Sequence, residues 1–151
     1  VPRLKARGFV VGTIKHTTRD VDDDTAGKDS QRHAAAGAAV SALVTPRRTT
    51  SRRFGEEEAF AEVLRREFGG CDLVLVEGYK SLSIPKIEVI RTGVPRPEVV
   101  EPVARISDGP FQGSVPTLSF GDWDGIVATV LHAAGLDRGN REASNGTRKS
   151  A

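Results

Sequence analysis

Cys71 to Lys80 reads Cys-Asp-Leu-Val-Leu-Val-Glu-Gly-Tyr-Lys and is the most informative stretch for predicting the fold. Its apolar run, Leu73–Val76, shows no polar alternation, which predicts a central strand of a parallel sheet, covered on both faces. Glu77 places a carboxylate at the carboxyl end of that strand, and Gly78 lets the backbone turn away. Ligands of open α/β sheets bind outside these strand ends. Glu77 is therefore predicted either to hold a magnesium ion or an attacking water, or to be a structural acid.

Length and composition describe an ordinary soluble protein of one domain. The chain has 151 residues, of which 38% are hydrophobic and 28% charged, enough to bury a sizeable core. No apolar run approaches the ~20 residues of a membrane helix and no signal peptide is visible, which predicts a cytoplasmic protein. A net charge of +2 favours neither nucleic acid nor membrane. Cys71, the single cysteine, is expected to be a small buried residue.

A second strand is predicted at Phe9–Ile14, which is mostly apolar and β-branched and follows the end of an amphipathic helix at Pro2–Gly8. This strand should run parallel to Leu73–Val76. Polar side chains that leave its carboxyl end either face a ligand or solvate a loop, and the pattern leaves both open. These polar residues are Lys15, His16, Thr17 and Thr18.

An acidic loop follows at Arg19–Gly27. Its spacing resembles a calcium loop, but Thr25 replaces the required glycine and Gln31 the required glutamate, which excludes that site. Gly27–Ser30 is not a Walker A motif, because Asp22 stands where its first glycine should be. The loop is either a solvated turn or the source of an aspartate that reaches the magnesium of a bound nucleotide. Its acids are Asp20, Asp22, Asp23 and Asp24.

Strands and helices alternate along the rest of the chain. This order predicts a doubly wound α/β domain over residues 1–135, with a mainly parallel sheet and flanking helices, and a disordered tail over 136–151. Arg47–Arg53 holds four arginines without an interleaved aromatic residue, so a solvated face is favoured over an RNA site. Asp108 follows a predicted strand at 103–106. Further strands are predicted at 38–44, 85–90 and 115–120, and helices at 29–36, 55–68 and 122–135.

Two parts of the sequence resemble the MobB family, the molybdopterin-guanine dinucleotide biosynthesis adaptor proteins. They cover most of the first 90 residues, and beyond Pro97 only Ser107-Asp108 offers a match. The first part is Ile14–Thr17 with the acidic loop, Gly27–Ser30 and Ala36–Ala38. The second is Leu73–Lys80 with Pro85–Glu88.

The resemblance implies a homodimeric P-loop protein of the GTPase type. Such a protein binds GTP with Mg²⁺, hydrolyses it weakly and assists the molybdenum cofactor guanylyltransferase that joins GMP to molybdopterin. By this likeness Glu77 matches the catalytic acid of the second nucleotide motif. The residues expected to contact the nucleotide are Lys15, His16, Thr17, Gly78 and Asp108. Those expected to contact magnesium are Glu77 and Asp20.

The sequence also departs from the family pattern. Thr18 and Arg19 stand where the family usually has histidines. The family's first strand and Walker A loop would precede Val1, so the domain is expected to be incomplete and the chain alone to bind GTP weakly. One alternative is a non-catalytic module that contacts a partner through its acidic loop and basic stretch. Another is a related metallochaperone GTPase, which would need cysteine or histidine ligands that this chain does not display.

Overall fold

The computed structural model of the protein describes residues 1–19, 21, 28–95, 99–110 and 113–137. The chain divides into two compact units, one made of Val1–His16 with Cys71–Ala151 and the other of Thr17–Gly70. The domain predicted over residues 1–135 thus comprises two units. Most of the tail predicted to be disordered, residues 138–151, lies outside the described residues.

Helices and strands are mixed along the chain, as the sequence predicts for an α/β protein. No helix in the described part of the chain combines the length and apolar composition that crossing a membrane requires. In chain order the elements are α1 (Pro2–Ala6), β1 (Val11–Lys15), α2 (Asp29–Ala35), β2 (Val40–Thr45), β3 (Arg48–Arg53), α3 (Phe60–Glu67), β4 (Leu73–Glu77), β5 (Ile87–Ile90), β6 (Ala104–Ser107), β7 (Thr117–Ser119) and α4 (Trp123–Ala133).

The first unit contains two parallel sheets. One pairs β1 with β4, and the other has the order β5-β6-β7. The parallel pairing of β1 with β4 confirms the prediction made for Phe9–Ile14 and Leu73–Val76. The central position predicted for β4 is wrong within the described residues, where β4 pairs with β1 alone. An apolar run without alternation reports coverage of both faces, and it carries no information about how many strands lie alongside.

The register of β1 on β4 is fixed at both ends by hydrogen bonds outside the strands. At the start, the Val10 N–H donates to Asp72 Oδ2 and the Asp72 N–H donates to the Val10 carbonyl, each over 2.8 Å. At the end, the His16 N–H donates to the Glu77 carbonyl over 2.8 Å. Lys15 consequently lies directly opposite Glu77.

The core of the first unit is formed by α1, α4 and the segment between α1 and β1. Leu4, Phe9 and Val127 are its buried residues. The apolar spacing of α4 predicts that Trp123 is buried, but it is 51% exposed, with the Arg3 guanidinium 5.6 Å from its ring centroid. Trp123 occupies the first position of the helix, one turn before the buried Val127. The partly buried residues packed on this core are Val11, Leu73, Leu75, Val130, Leu131 and Leu136.

The second unit contains α2, α3 and an antiparallel hairpin of β2 and β3. The sequence pattern assigned no secondary structure to Arg47–Arg53, most of which forms β3 of the hairpin. Thr45 closes the turn, because its hydroxyl accepts from the Arg48 N–H over 3.1 Å and donates to the Arg48 carbonyl over 2.8 Å. The helix predicted from residue 55 begins only at Phe60. The Arg66 guanidinium binds Glu58 over 2.6 Å, and this hydrogen bond lowers the pKa of the Glu58 carboxyl.

Candidate functional site

Lys15 and Glu77 meet at the carboxyl ends of two neighbouring parallel strands. Lys15 Nζ lies 3.1 Å from Glu77 Oε1, and the two side chains are 72% and 73% exposed. Ion pairs this exposed contribute at most about 1 kcal/mol to folding, because water and salt screen them. The pair can therefore separate at small cost, which leaves an ammonium group for an anion and a carboxylate for a cation.

Gly78 allows the two strand ends to approach closely. Its φ is +91°, in the left-handed region that side chains rarely adopt, and a Cβ atom at this position would lie 2.5 Å from the His16 carbonyl oxygen. Only glycine fits here without movement of the backbone. His16 and Gly78, both predicted as site residues, are thus in contact through the main chain.

Tyr79 is a site residue that the sequence reasoning missed. Its ring stacks on the His16 imidazole, with centroids 3.9 Å apart and planes inclined by 20°. Its N–H donates to His16 Nδ1 over 3.4 Å. Tyr79 also has a φ of +47°, which is uncommon outside glycine. The sequence did hold a signal for this contact. His16 follows β1 and Tyr79 follows β4, and the parallel pairing of these two strands brings the residues after them together.

A cleft of about 290 Å³ runs along these two strand ends. Lys15 and Glu77 both line this cleft. The rest of its lining is mostly backbone and aliphatic side chains of β1 and β4. A charged pair at the mouth of such a cleft suits a ligand that carries both an anionic group and a cation. The lining residues are Thr13, Ile14, Lys15, Leu75, Val76 and Glu77.

Asp108 follows β6 and is held by Thr92, which lies beyond the end of β5. The Thr92 N–H and hydroxyl both donate to Asp108 Oδ1, over 2.9 and 2.8 Å. These bonds, the backbone one first, lower the pKa of the Asp108 carboxyl from its usual value of 3.8. Within the described ranges, no hydrogen bond or ion pair joins Asp108 to Lys15 or Glu77.

Of the other two predicted site residues, one belongs to the second unit and one lies outside the described residues. Thr17 belongs to the second unit, where its hydroxyl accepts from the Arg19 N–H over 3.2 Å. Asp20, predicted to bind magnesium, lies outside the described residues together with Asp22, Asp23 and Asp24. The contacts of the acidic loop therefore stay a prediction.

The donor set at the cleft fits magnesium that arrives with a nucleotide. In the part of the chain that the structure describes, no three His, Cys, Asp or Glu side chains are grouped to hold a metal. Protein cages built from such groups suit calcium or transition metals. Magnesium in nucleotide sites instead uses one or two carboxylates with phosphate and water oxygens. Glu77, a single exposed carboxylate beside a lysine, matches that second pattern.

Comparison with known proteins adds the family. The model of the MobB family, described as molybdopterin guanine dinucleotide synthesis protein B, matches residues 1–106. The chain belongs to the MobB family. Among MobB relatives, it is 36% identical over 140 residues to the molybdopterin-guanine dinucleotide biosynthesis adapter protein of Escherichia coli (strain K12), covering 87% of this chain and 80% of that protein. The Haemophilus influenzae adapter protein is 34% identical over 111 residues, covering 71% of this chain and 62% of that protein.

Solved structures of MobB proteins share the fold. A crystal structure of molybdopterin-guanine biosynthesis protein B superposes with a TM-score of 0.68 at 23% identity, covering 87% of this chain and 85% of that one. Bacillus subtilis MobB gives a TM-score of 0.65 at 22% identity, covering 85% of each chain. These MobB structures have a P-loop NTPase-like fold, so the predicted fold class and the predicted family are confirmed.

Proposed function

We propose that this chain is an adapter in the formation of molybdopterin guanine dinucleotide and that it binds GTP with Mg²⁺ at the carboxyl ends of β1 and β4. The observation that carries the proposal is the Lys15–Glu77 pair at the mouth of the cleft. The adapter role is supported by the similarity to the adapter proteins of Escherichia coli and Haemophilus influenzae.

The charges of the pair define what each side chain would do. Glu77 would hold the magnesium ion or one of its waters, and Lys15 would balance the charge of the phosphates. Because the pair is exposed, exchanging it for these new partners sacrifices about 1 kcal/mol or less. Bound magnesium would supply charge neutralisation of the phosphates. His16 and Gly78 would keep the two strand ends close together through the main-chain contact that the glycine permits.

GTP hydrolysis in this proposal is weak. Glu77 is the catalytic candidate, because a carboxylate at this strand end can orient a water molecule toward a phosphate. Thr18 and Arg19 replace the histidines usual in the family, so this chain offers no imidazole at those two positions. Asp108 is proposed as the acceptor that contacts guanine, and Thr17 and Asp20 as further contacts to the nucleotide and its magnesium.

The direct test is binding of a fluorescent GTP analogue, titrated with and without magnesium. Glu77→Gln removes the charge but keeps the shape, so affinity should fall about tenfold in magnesium and change little without it. The matched control is Asp124→Asn, since Asp124 is also an exposed acid, 3.1 Å from Arg7 in the same unit. Equal affinities for wild type and Glu77→Gln, with magnesium present, would remove Glu77 from the site.

The proposal extends to partners. We infer a homodimer in the cytoplasm that works with the molybdenum cofactor guanylyltransferase and with molybdopterin. Support for the homodimer comes from the hairpin of β2 and β3, whose Val40, Leu43 and Val44 side chains are 45%, 53% and 72% exposed. A hairpin with exposed aliphatic side chains can bury them against a second copy.

An interaction module without nucleotide chemistry is the second candidate function. The exposed hairpin favours it, because the exposed Val40 lies opposite Arg53 and so places an apolar side chain beside a basic one. The two functions separate in one assay, stimulation of the guanylyltransferase by this chain. Under the nucleotide proposal Glu77→Gln reduces the stimulation, whereas a pure module keeps full stimulation when Glu77 is changed.

A further inference from the structure

We propose that His16 is a positioning residue, which holds the turn Glu77–Gly78–Tyr79 in the form that presents the Glu77 carboxylate to the cleft. His16 contacts both Glu77 and Tyr79, the residues on either side of Gly78. Its consequence for magnesium rests on the function proposed above, whereas its consequence for the turn is measurable without any ligand.

The turn needs support from outside, because two consecutive residues are left-handed. Gly78 has a φ of +91° and Tyr79 a φ of +47°. Glycine adopts this region freely, but a tyrosine does so only where its surroundings fix it. Without such support Tyr79 would return to a more common conformation, and the peptide that follows Glu77 would rotate with it.

His16 supplies that support at three points. Its N–H donates to the Glu77 carbonyl over 2.8 Å, its Nδ1 accepts from the Tyr79 N–H over 3.4 Å, and its ring stacks on the Tyr79 ring at 3.9 Å. The first contact belongs to the backbone and is available to every substitution except proline. The other two belong to the imidazole, which must carry its hydrogen on Nε2 for Nδ1 to accept.

The contact geometry explains why a small residue follows Glu77. A Cβ on Gly78 would meet the His16 carbonyl oxygen at 2.5 Å, so the histidine can reach across to Tyr79 only over a glycine. Glu77 lies between its ion pair with Lys15 and this clamped turn. The side chain of Glu77 is therefore aimed by the backbone that follows it, and His16 fixes that backbone.

Substitutions at His16 separate the two imidazole contacts. His16→Asn keeps an acceptor on the same Cγ atom but has no ring, and His16→Phe keeps a flat ring without an acceptor. His16→Ala removes both contacts. Asp124→Asn is the control, because it changes an exposed charge of the same unit and leaves both imidazole contacts of His16 in place.

The readout uses the fact that the chain has one tyrosine and one tryptophan. Labelling tyrosine with ¹⁵N gives a single amide signal, that of Tyr79, whose hydrogen exchange reports the turn. We expect His16→Ala to speed this exchange about five- to tenfold and to weaken magnesium-dependent GTP binding by a similar factor. His16→Asn should restore most of both, and Asp124→Asn should change neither. Trp123 fluorescence should stay as in wild type in the His16 variants.

The outcomes distinguish the two proposals. Unchanged Tyr79 exchange in His16→Ala overturns the inference. If that variant is too unstable to measure, unchanged exchange in His16→Phe, which lacks the acceptor, overturns it. Faster exchange with GTP binding intact also overturns it, provided that Glu77→Gln weakens that binding. If Glu77→Gln has no effect on GTP while exchange still responds to His16, the function proposed for Glu77 fails and the role of His16 in the turn is supported.

Discussion

At the scale of single residues, Gly78 gives the most direct test of the geometry at the two strand ends. Gly78→Ala brings a methyl group to 2.5 Å from the His16 carbonyl at a φ of +91°. We expect the free energy of unfolding to fall by about 1–3 kcal/mol, measured by urea denaturation. Gly121→Ala is the control. A Cβ atom at Gly121 would lie 4.0 Å from its nearest neighbour, Ser119 Oγ, so this variant should change stability by less than about 0.5 kcal/mol. Equal losses for the two variants would contradict the close approach.

Asp108 provides a prediction about pH. The two bonds from Thr92 lower the pKa of Asp108 in the folded protein below 3.8, its ordinary value. A lowered carboxyl pKa contributes stability that is complete above the unfolded value and is lost as the pH falls through the folded value. The difference in unfolding free energy between wild type and Asp108→Asn should therefore shrink in acid, below about pH 4. A difference that stays constant from pH 7 to the acid range would show that Thr92 does not stabilise the charged form.

The sequence indicates part of this site and not the rest, for a physical reason. Lys15, Glu77 and Gly78 could be placed together because carboxyl ends of adjacent parallel strands share one edge. The stack of Tyr79 on His16 depends on the left-handed φ of Tyr79, which no propensity of tyrosine predicts. The bond from Thr92 to Asp108 joins residues after two different strands, so it requires the register of β5 on β6.

At the scale of elements, a buried ion pair joins β5 to β6. Arg105 Nε lies 2.7 Å from Glu88 Oε2, and the side chains are 16% and 4% exposed. Removing one partner leaves a charge in a dry place, so Arg105→Met should cost about 3–5 kcal/mol. The double variant Glu88→Met with Arg105→Met should recover most of that loss, because no charge is then stranded. A double-mutant cycle by thermal or urea unfolding measures both, and single losses below about 1 kcal/mol would contradict the pair's importance.

The hairpin of β2 and β3 carries the prediction about assembly. Wild type should sediment as a dimer, and Val44→Arg should weaken that dimer about tenfold or more, because a two-fold interface receives the new charge twice. Val100→Arg is the control, since Val100 is 74% exposed and Val44 72%. Analytical ultracentrifugation over a concentration series gives the answer. Identical dimerisation of the two variants would move the interface away from the hairpin.

Elements were predicted well where the signal is apolar and poorly where it is polar. Aspartate before an apolar helical pattern predicts an N-cap at Asp122, and its carboxylate accepts from the Gly125 N–H over 2.9 Å. β3 was missed because Arg-Thr-Thr-Ser-Arg-Arg shows no apolar alternation, although it pairs with β2 along its whole length. The start of α3 was placed too early because the acids before Phe60 look like a first helical turn. Glu58 is instead tied to Arg66.

At the scale of the whole molecule, the chain is a MobB-family protein with two compact units. Weak binding of GTP by residues 1–151 stays a prediction, because no stretch of this sequence reads as a Walker A motif and backbone donors of that loop contribute much of the affinity for phosphates. A test of the nucleotide and metal site should therefore work at weak affinity and report where the ion binds. Paramagnetic relaxation by Mn²⁺, which binds much as Mg²⁺ does, meets both needs.

The decisive measurement is the broadening of the Tyr79 amide signal when Mn²⁺ and GTP are added together to the uniformly ¹⁵N-labelled protein. We expect strong broadening in wild type and in Asp124→Asn, and its loss in Glu77→Gln, because Tyr79 lies two residues from the proposed ligand. Broadening of Tyr79 that persists unchanged in Glu77→Gln, or no broadening while signals elsewhere in the chain disappear, would contradict a nucleotide and metal site at the ends of β1 and β4.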